Sequence, residues 1–471
     1  MTDLDLVFLP ATELAALLRA KQVSARELLD AHLRQIARVN PRVNAIVTLT
    51  AEQGRGQALE ADEALVHGRP LGQLHGLPVA HKDLHETRGV RTTYGSRAFE
   101  HFVPDFDNLL VERVRLAGGV MVGKTNTPEL GAGSQTFNDV SGETRNPYDV
   151  SRTCGGSSGG SAVALACGMA ALAGGSDMGG SLRNHASFCN VVGLRPSPGR
   201  VPSWPAKAAW STLSVDGPMG RTVGDVALML SAIAGPDARS PISIDEPAAR
   251  FAGLLERRFD GVRVAWTRGF GLPFEPAVTH AVESQRRVVE SLGCVVEDAE
   301  PDLAEADEVF RVLRAWAFQM AHAETLARHR ALLKDTVVWN IEEGERLSGP
   351  DVARAERMRT ALYHRLRVFM ERYDFFVLPV VQVLPFDVSV RYPSEVAGVR
   401  MDTYIDWMKS CYVVSVTGHP ALSVPCGFSP EGLPVGLQIV GRHRDDWGVL
   451  QLGHAFEQAT GCWRRRPAVA E

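Results

Sequence analysis

CGGSSGGSAVALACGMAALAGGSDMGGS, residues 154–181, opens with four glycines and three serines in eight positions and closes on a second glycine cluster, with Ser181 lying 24 residues after Ser157. An isolated Gly/Ser tract reads as a flexible linker. Here the helix-forming run SAVALACGMA follows at once, and SDMGGS then takes the chain through another turn. Glycine-rich backbone is entropically expensive to order. Two such turns bracketing one helix therefore point to backbone atoms held in fixed places.

Outward from this stretch, short β candidates alternate with helical segments. VNAIVTL (43–49), LPVAHKDL (77–84), VMVGKT (120–125) and GVRVAWT (261–267) read as strands, and NLLVERVRLAGG (108–119) as a helix. YDFFVLPVV (373–381), HPALSVPCGF (419–428) and PVGLQIVG (434–441) return to strand character after a helical stretch over 303–372. The alternation predicts an α/β sheet covered by helices. Ser24 and Glu27 form a capping box before Leu28, Leu29, Leu33, Ile36 and Val39, so 24–39 is an amphipathic helix, which also offers a homodimer contact. No linker or repeat is visible, and one domain over 1–471 with a helical excursion is expected.

Composition narrows the function. At 45% hydrophobic and 22% charged, the chain has material for a large core. A net charge of −5 with no basic block beyond Arg464–Arg466 gives no reason to expect a nucleic acid partner. The N-terminus lacks the order of a secretory signal and no run of eighteen apolar residues is present, so neither export nor a membrane span is expected. Seven cysteines without a CxxC pair read as reduced thiols of a cytoplasmic protein.

Three short motifs suggest other chemistries. GGVMVGKT (118–125) matches the phosphate-loop pattern GxxxxGK[ST], but that loop needs a strand before it and a helix after it. Here a helix precedes and the motif is itself the strand. HKDLH (81–85) places His81, Asp83 and His85 on one face of a strand, a partial metal site without completing ligands. Lys82 then points the other way, towards Ala80 and Leu84. GSSGG (156–160) satisfies GxSxG around Ser158, with His419 downstream, but no buried strand leads into it.

Read as one unit with HGLPVAHKD (75–83), the stretch from Cys154 to Pro202 closely resembles the amidase signature family, and HPALSVPCGFSPEGLPVGLQIVG (419–441) is similar to that family's C-terminal pattern. The resemblance implies a single large α/β domain with a central mixed β-sheet covered by helices on both faces. It places the signature core at about 60–230 and 373–460, and a variable helical substrate region at about 240–372. It implies an amide hydrolase with no cofactor and no metal, using a Ser–Ser–Lys triad: nucleophile Ser181, relay serine Ser157 on a cis peptide, and base Lys82. The backbone N–H groups of Met178, Gly179, Gly180 and Ser181 would form the oxyanion hole, with Ser158, Asp177 and Arg183 in support and Asp177–Arg183 as a bracing ion pair. A lysine titrates near 10.4; lowering it to about 7–8 by burial costs on the order of 3–5 kcal/mol, within reach of a desolvated site.

The sequence departs from the family at Cys154 and His185, where proline is usual, and at Met178, where threonine is more common. His185 is expected either to line the pocket and add a pH-dependent step or to be a packing change. Trp204, Trp210, Trp316, Trp339 and Trp407, with Phe137 and Phe188, are candidate pocket walls, favouring aryl or long acyl amides and extending to carbamates and esters. Asn184 is neutral, and no motif-anchored cation that would select a carboxylate is evident. The family also contains the glutaminase subunit of a tRNA-dependent amidotransferase, which remains an alternative.

Overall fold

The computed structural model describes residues 2–471. Eleven strands form one sheet: β1 (Ile46–Leu49), β2 (Pro78–Lys82), β3 (Val120–Thr125), β4 (Leu172–Asp177), β5 (Val192–Arg195), β6 (Val215–Gly220), β7 (Arg263–Trp266), β8 (Val295–Asp298), β9 (Phe375–Pro379), β10 (Ala421–Phe428) and β11 (Pro434–Gly441). Their spatial order is β1-β3-β2-β4-β6-β5-β10-β11-β9-β7-β8. Parallel pairs occur on both flanks, β3–β2–β4 and β9–β7–β8, whereas the middle of the sheet is antiparallel. This is a mixed α/β sheet flanked by helices, and one continuous apolar core runs along it.

The helix Gly159–Ala166 is buried at all eight positions. It begins two residues before the apolar run that announces it, because its first turn lies against backbone. A Cβ on Gly160 would fall 2.4 Å from the Asn126 nitrogen and 2.7 Å from the Ala45 carbonyl oxygen, so only glycine fits. The strands read as VMVGKT and LPVAHKDL are β3 and β2, neighbours in parallel. The capping box of Ser24 and Glu27 is formed, with hydrogen bonds of 3.1 and 2.8 Å.

That helix extends to Val43, past the expected end at Val39, since Pro41 lies close enough to the C-terminus for its missing N–H to remove one bond only. Its apolar stripe, Leu28, Leu29, Ile36 and Val39, is buried in the core. The protein's own core thus explains the amphipathic pattern. Over 303–372 three helices form, Ala306–His329, Asp335–Glu345 and Gly349–Arg372. Among the described residues no helix is long and apolar enough to cross a membrane.

Candidate active site

Lys82 ends β2 with a side chain of 0% exposure, next to β4 in the sheet interior. Its Nζ donates to Ser157 Oγ at 2.7 Å and to Ser176 Oγ at 3.1 Å. Ser157 sits in the loop ahead of the buried helix, and the Gly156–Ser157 peptide is cis. Burial pushes the Lys82 amine down to about 7, while Asp216 and Asp177 pull weakly the other way. Asp216 is itself held by His85 Nε2 at 3.1 Å and by the Ser203 hydroxyl at 2.8 Å. An amine titrating there is half neutral near pH 7, so it can accept a proton and return it.

The turn after β4 carries Ser181, which lines the same cavity as Ser157 without a direct hydrogen bond between the two hydroxyls. Ser158 Oγ donates to the Ser181 carbonyl oxygen at 2.6 Å and fixes that backbone. Asp177 organises the rest. Fully buried, it pairs with Arg183 at 3.0 Å and with Arg195 at 3.1 Å, and accepts the N–H groups of Gly180 at 2.8 Å and Leu182 at 3.0 Å. Burial alone would raise its carboxyl, but the two guanidiniums outweigh it and hold the group well below the usual carboxylate range.

The expected four-donor oxyanion hole is corrected here. The Gly180 N–H points back to Asp177, leaving Met178, Gly179 and Ser181 as the turn's amides without a protein acceptor among the described residues. Gly180 has φ +123°, a backbone that side chains rarely adopt. Asp177→Ala is expected to lower stability by about 3–5 kcal/mol, because it strands buried charge. Removing the half-exposed Arg354–Glu308 pair should change it by about 1 kcal/mol or less. Urea denaturation measures both, and equal losses would rule out Asp177 as the keystone of the turn.

A family model for amidases matches residues 27–450. The chain belongs to the amidase signature family. It is 35% identical over 473 residues to an acylamidase of Rhodococcus erythropolis, covering 99% of each chain. It is 37% identical over 496 residues to a glutamyl-tRNA(Gln) amidotransferase subunit of Moorella thermoacetica, covering 98% of this chain and 99% of the relative. The crystal structure of a bacterial aryl acylamidase of the same family superposes with a TM-score of 0.90 at 27% identity, over 96% of both chains. The protein is thus an amidase-type hydrolase of C–N bonds.

Motif residues with rival readings have other work in this amidase. β2 ends at Lys82, so strand alternation stops there and His81, Asp83 and His85 do not converge. Asp83 accepts from Thr93 and lies 3.6 Å from the buried Lys124, and His85 meets Asp216. Lys124 also donates to the Thr92 hydroxyl at 2.8 Å, which ties up the lysine of the phosphate-loop pattern. Among the described residues no group of three or more His, Cys, Asp or Glu is placed to hold a metal. His419 packs against Tyr363 and His443 and contacts Thr417, away from Ser158. His185 is fully buried, with Nε2 3.3 Å from the Met219 sulfur, and burial pushes it down to about 3. It lines no cavity wall beside Ser181 and stays neutral near pH 7, so it packs rather than titrates.

The aromatic wall also needs correction. Ser181 opens on an inner chamber of about 130 Å³, joined through Leu84, Ser176 and Met178 to an outer chamber of about 540 Å³. None of the five tryptophans lines either one. Trp210 is 78% exposed, Trp204 packs on Phe106 under Arg239, Trp339 meets the Tyr404 ring, and Trp316 packs against the core. Trp407 stacks on Phe188 and, with Phe137, borders a third pocket that shares Gly133, Ser134 and Tyr404 with the inner chamber. The inner walls instead come from Phe310, Arg314 and Phe318, one helical turn apart on Ala306–His329, and from Tyr404 and Met408. The i, i+4, i+8 spacing of the first three is the sequence signal that would have found them.

Proposed function

We propose that this amidase hydrolyses small acyl or aryl amides as a free-standing enzyme, with carbamates and esters as further substrates. Ser181 Oγ attacks the carbonyl carbon while its proton passes to Ser157 and the Ser157 proton to neutral Lys82. The oxyanion receives hydrogen bonds from the free amides of the 178–181 turn, where one donor contributes about 3 kcal/mol. The proton then returns from Lys82 through Ser157 to the departing nitrogen. The C–N bond breaks, leaving an acyl ester on Ser181 that water hydrolyses by the same relay. The relay needs the two serine hydroxyls within hydrogen-bond reach, and such pairs are often long in empty sites.

The observation that carries this reading is a fully buried amine, titrating at about 7, that donates to Ser157 at 2.7 Å beside the Ser181 cavity. Likeness to acylamidases in sequence and in fold supports it. A fluorophosphonate probe should label Ser181, as located by mass spectrometry, with a rate that rises as pH passes about 7 and Lys82 loses its proton. Chelators should leave turnover unchanged. Labelling elsewhere, or activity lost to EDTA, would overturn the assignment.

A further inference from the structure

Among the described residues five arginines are buried: Arg183, Arg195, Arg200, Arg221 and Arg314. The first two share Asp177, and Arg200 pairs with Asp446 and Glu246. Arg221 donates to the carbonyls of Leu9, Leu165 and Ala170. Arg314 has neither kind of partner among the described residues. Its donors meet the Tyr404 hydroxyl and, at 3.8 Å, the Met178 sulfur, while its Nε has no acceptor. The guanidinium lies 4.4 Å from the Phe318 ring centroid, and Asn340 donates to the same Tyr404 oxygen at 2.6 Å, which fixes the phenol.

A guanidinium keeps its charge, and burying one without a counter-ion is strongly unfavourable. The free energy is recovered when an anion arrives. Among the described residues no Asp or Glu lines the inner chamber, and His322, which does, is pushed by burial down to about 4 and is neutral near pH 7. The chamber is therefore positive, largely apolar and open to the nucleophile. We infer that Arg314 receives a carboxylate carried by the acyl part of the substrate, so that the preferred substrates are amides of short dicarboxylic acids.

This rests on Ser181 being the nucleophile, as proposed above. The leaving nitrogen must face Ser157 and Lys82, on the side of Leu84 and Ser176, which also line the larger outer chamber. Arg314 lines only the inner one, beside Phe310 and Phe318, and the inference places the acyl chain against that wall. Glutamine also carries an acyl-side carboxylate, but its α-ammonium would enter this chamber without an acid to pair with.

The test compares glutaric acid monoanilide with its neutral isostere 5-methylhexananilide. Wild-type kcat/KM should favour the acid by about 10- to 100-fold, the range of a charge-assisted hydrogen bond. Arg314→Met keeps the stem and should bring that ratio to about one, whatever it does to the rate the two substrates share; Arg314→Lys should fall between, lacking the planar fork. Glutaramate should be cleaved better than glutamine. Free glutarate should slow fluorophosphonate labelling of wild-type Ser181 and not that of Arg314→Met. A wild-type ratio near one, or glutamine cleaved better than glutaramate, overturns the inference even if every variant misfolds. Ser181 labelled without any carboxylate preference removes this inference alone, whereas failure of Ser181 labelling removes the proposed nucleophile as well.

Discussion

Ser181→Ala is expected to lower amide turnover by about 10⁵-fold and leave the fold intact. The magnitude follows from removing the proposed nucleophile, since residual rate would then come only from binding and oxyanion stabilisation. The fold survives because Ser181 contributes to the frame through its backbone. Its carbonyl accepts from Ser158 at 2.6 Å, and the neighbouring Leu182 N–H is held by Asp177 at 3.0 Å; neither bond uses the Ser181 hydroxyl. The variant should therefore match wild type in thermal unfolding and still bind a slow amide substrate by calorimetry. Single-turnover mixing should show no acyl-enzyme burst. Retention of a few per cent of wild-type turnover would mean that another nucleophile does the chemistry, and Ser158 is badly placed to be it, since its hydroxyl already donates to the Ser181 carbonyl.

The parts of the fold legible in the sequence are those where one strong local signal meets no competing tertiary demand. Ser24 with Glu27 starts a helix, and Val120–Thr125 is apolar enough to be an inner strand. β4 and β6 carry no such signal. LAGGSD lacks both alternation and bulk, and VDGPMG holds a proline and two glycines that read as a turn. Both are strands because the sheet around them needs slim residues: Gly174 faces Pro218 across the pair, and β5 joins β6 only at Met219 and Gly220, so its ladder has ended by Pro218.

The site divides in the same way. Glycine and serine turns are local, and the residues they carry are readable from spacing. Asp216 reaches the site from beyond the signature stretch, and nothing near it in sequence announces it, whereas Ser176 and Arg195 lie within that stretch and only the fold shows which groups they meet. Tryptophan content misled because size favours burial in general, not burial beside a cavity. A cation at 314 was invisible for a further reason. Arginine on an amphipathic helix ordinarily reads as solvated, and what sets this one apart is the acid that does not face it.

Lys82→Ala is expected to slow amide hydrolysis by about 10³- to 10⁴-fold and ester hydrolysis by about 10²-fold. The asymmetry is the diagnostic part. An alkoxide or phenoxide leaves without help, whereas an amide nitrogen must gain a proton as the C–N bond breaks, and in the proposed relay Lys82 supplies it through Ser157. Equal losses on matched amide and ester substrates would leave Lys82 as a base for attack only. Stability gives an independent reading. The folded amine titrates at about 7 against 10.5 unfolded, so between these values the unfolded chain holds more protons and stability rises with pH. The full stabilisation from this group is present above the unfolded value and is lost as pH falls towards the folded one. Below about pH 7 both states are protonated and the buried charge costs about 5 kcal/mol. Lys82→Met, which fills the space without a charge, should accordingly be more stable than wild type at pH 6, with an advantage that shrinks steadily towards pH 10. A difference in unfolding free energy that stayed flat across that range would mean that the folded amine keeps its proton throughout, with a titration unshifted from that of the unfolded chain, contrary to a site in which burial lowers it.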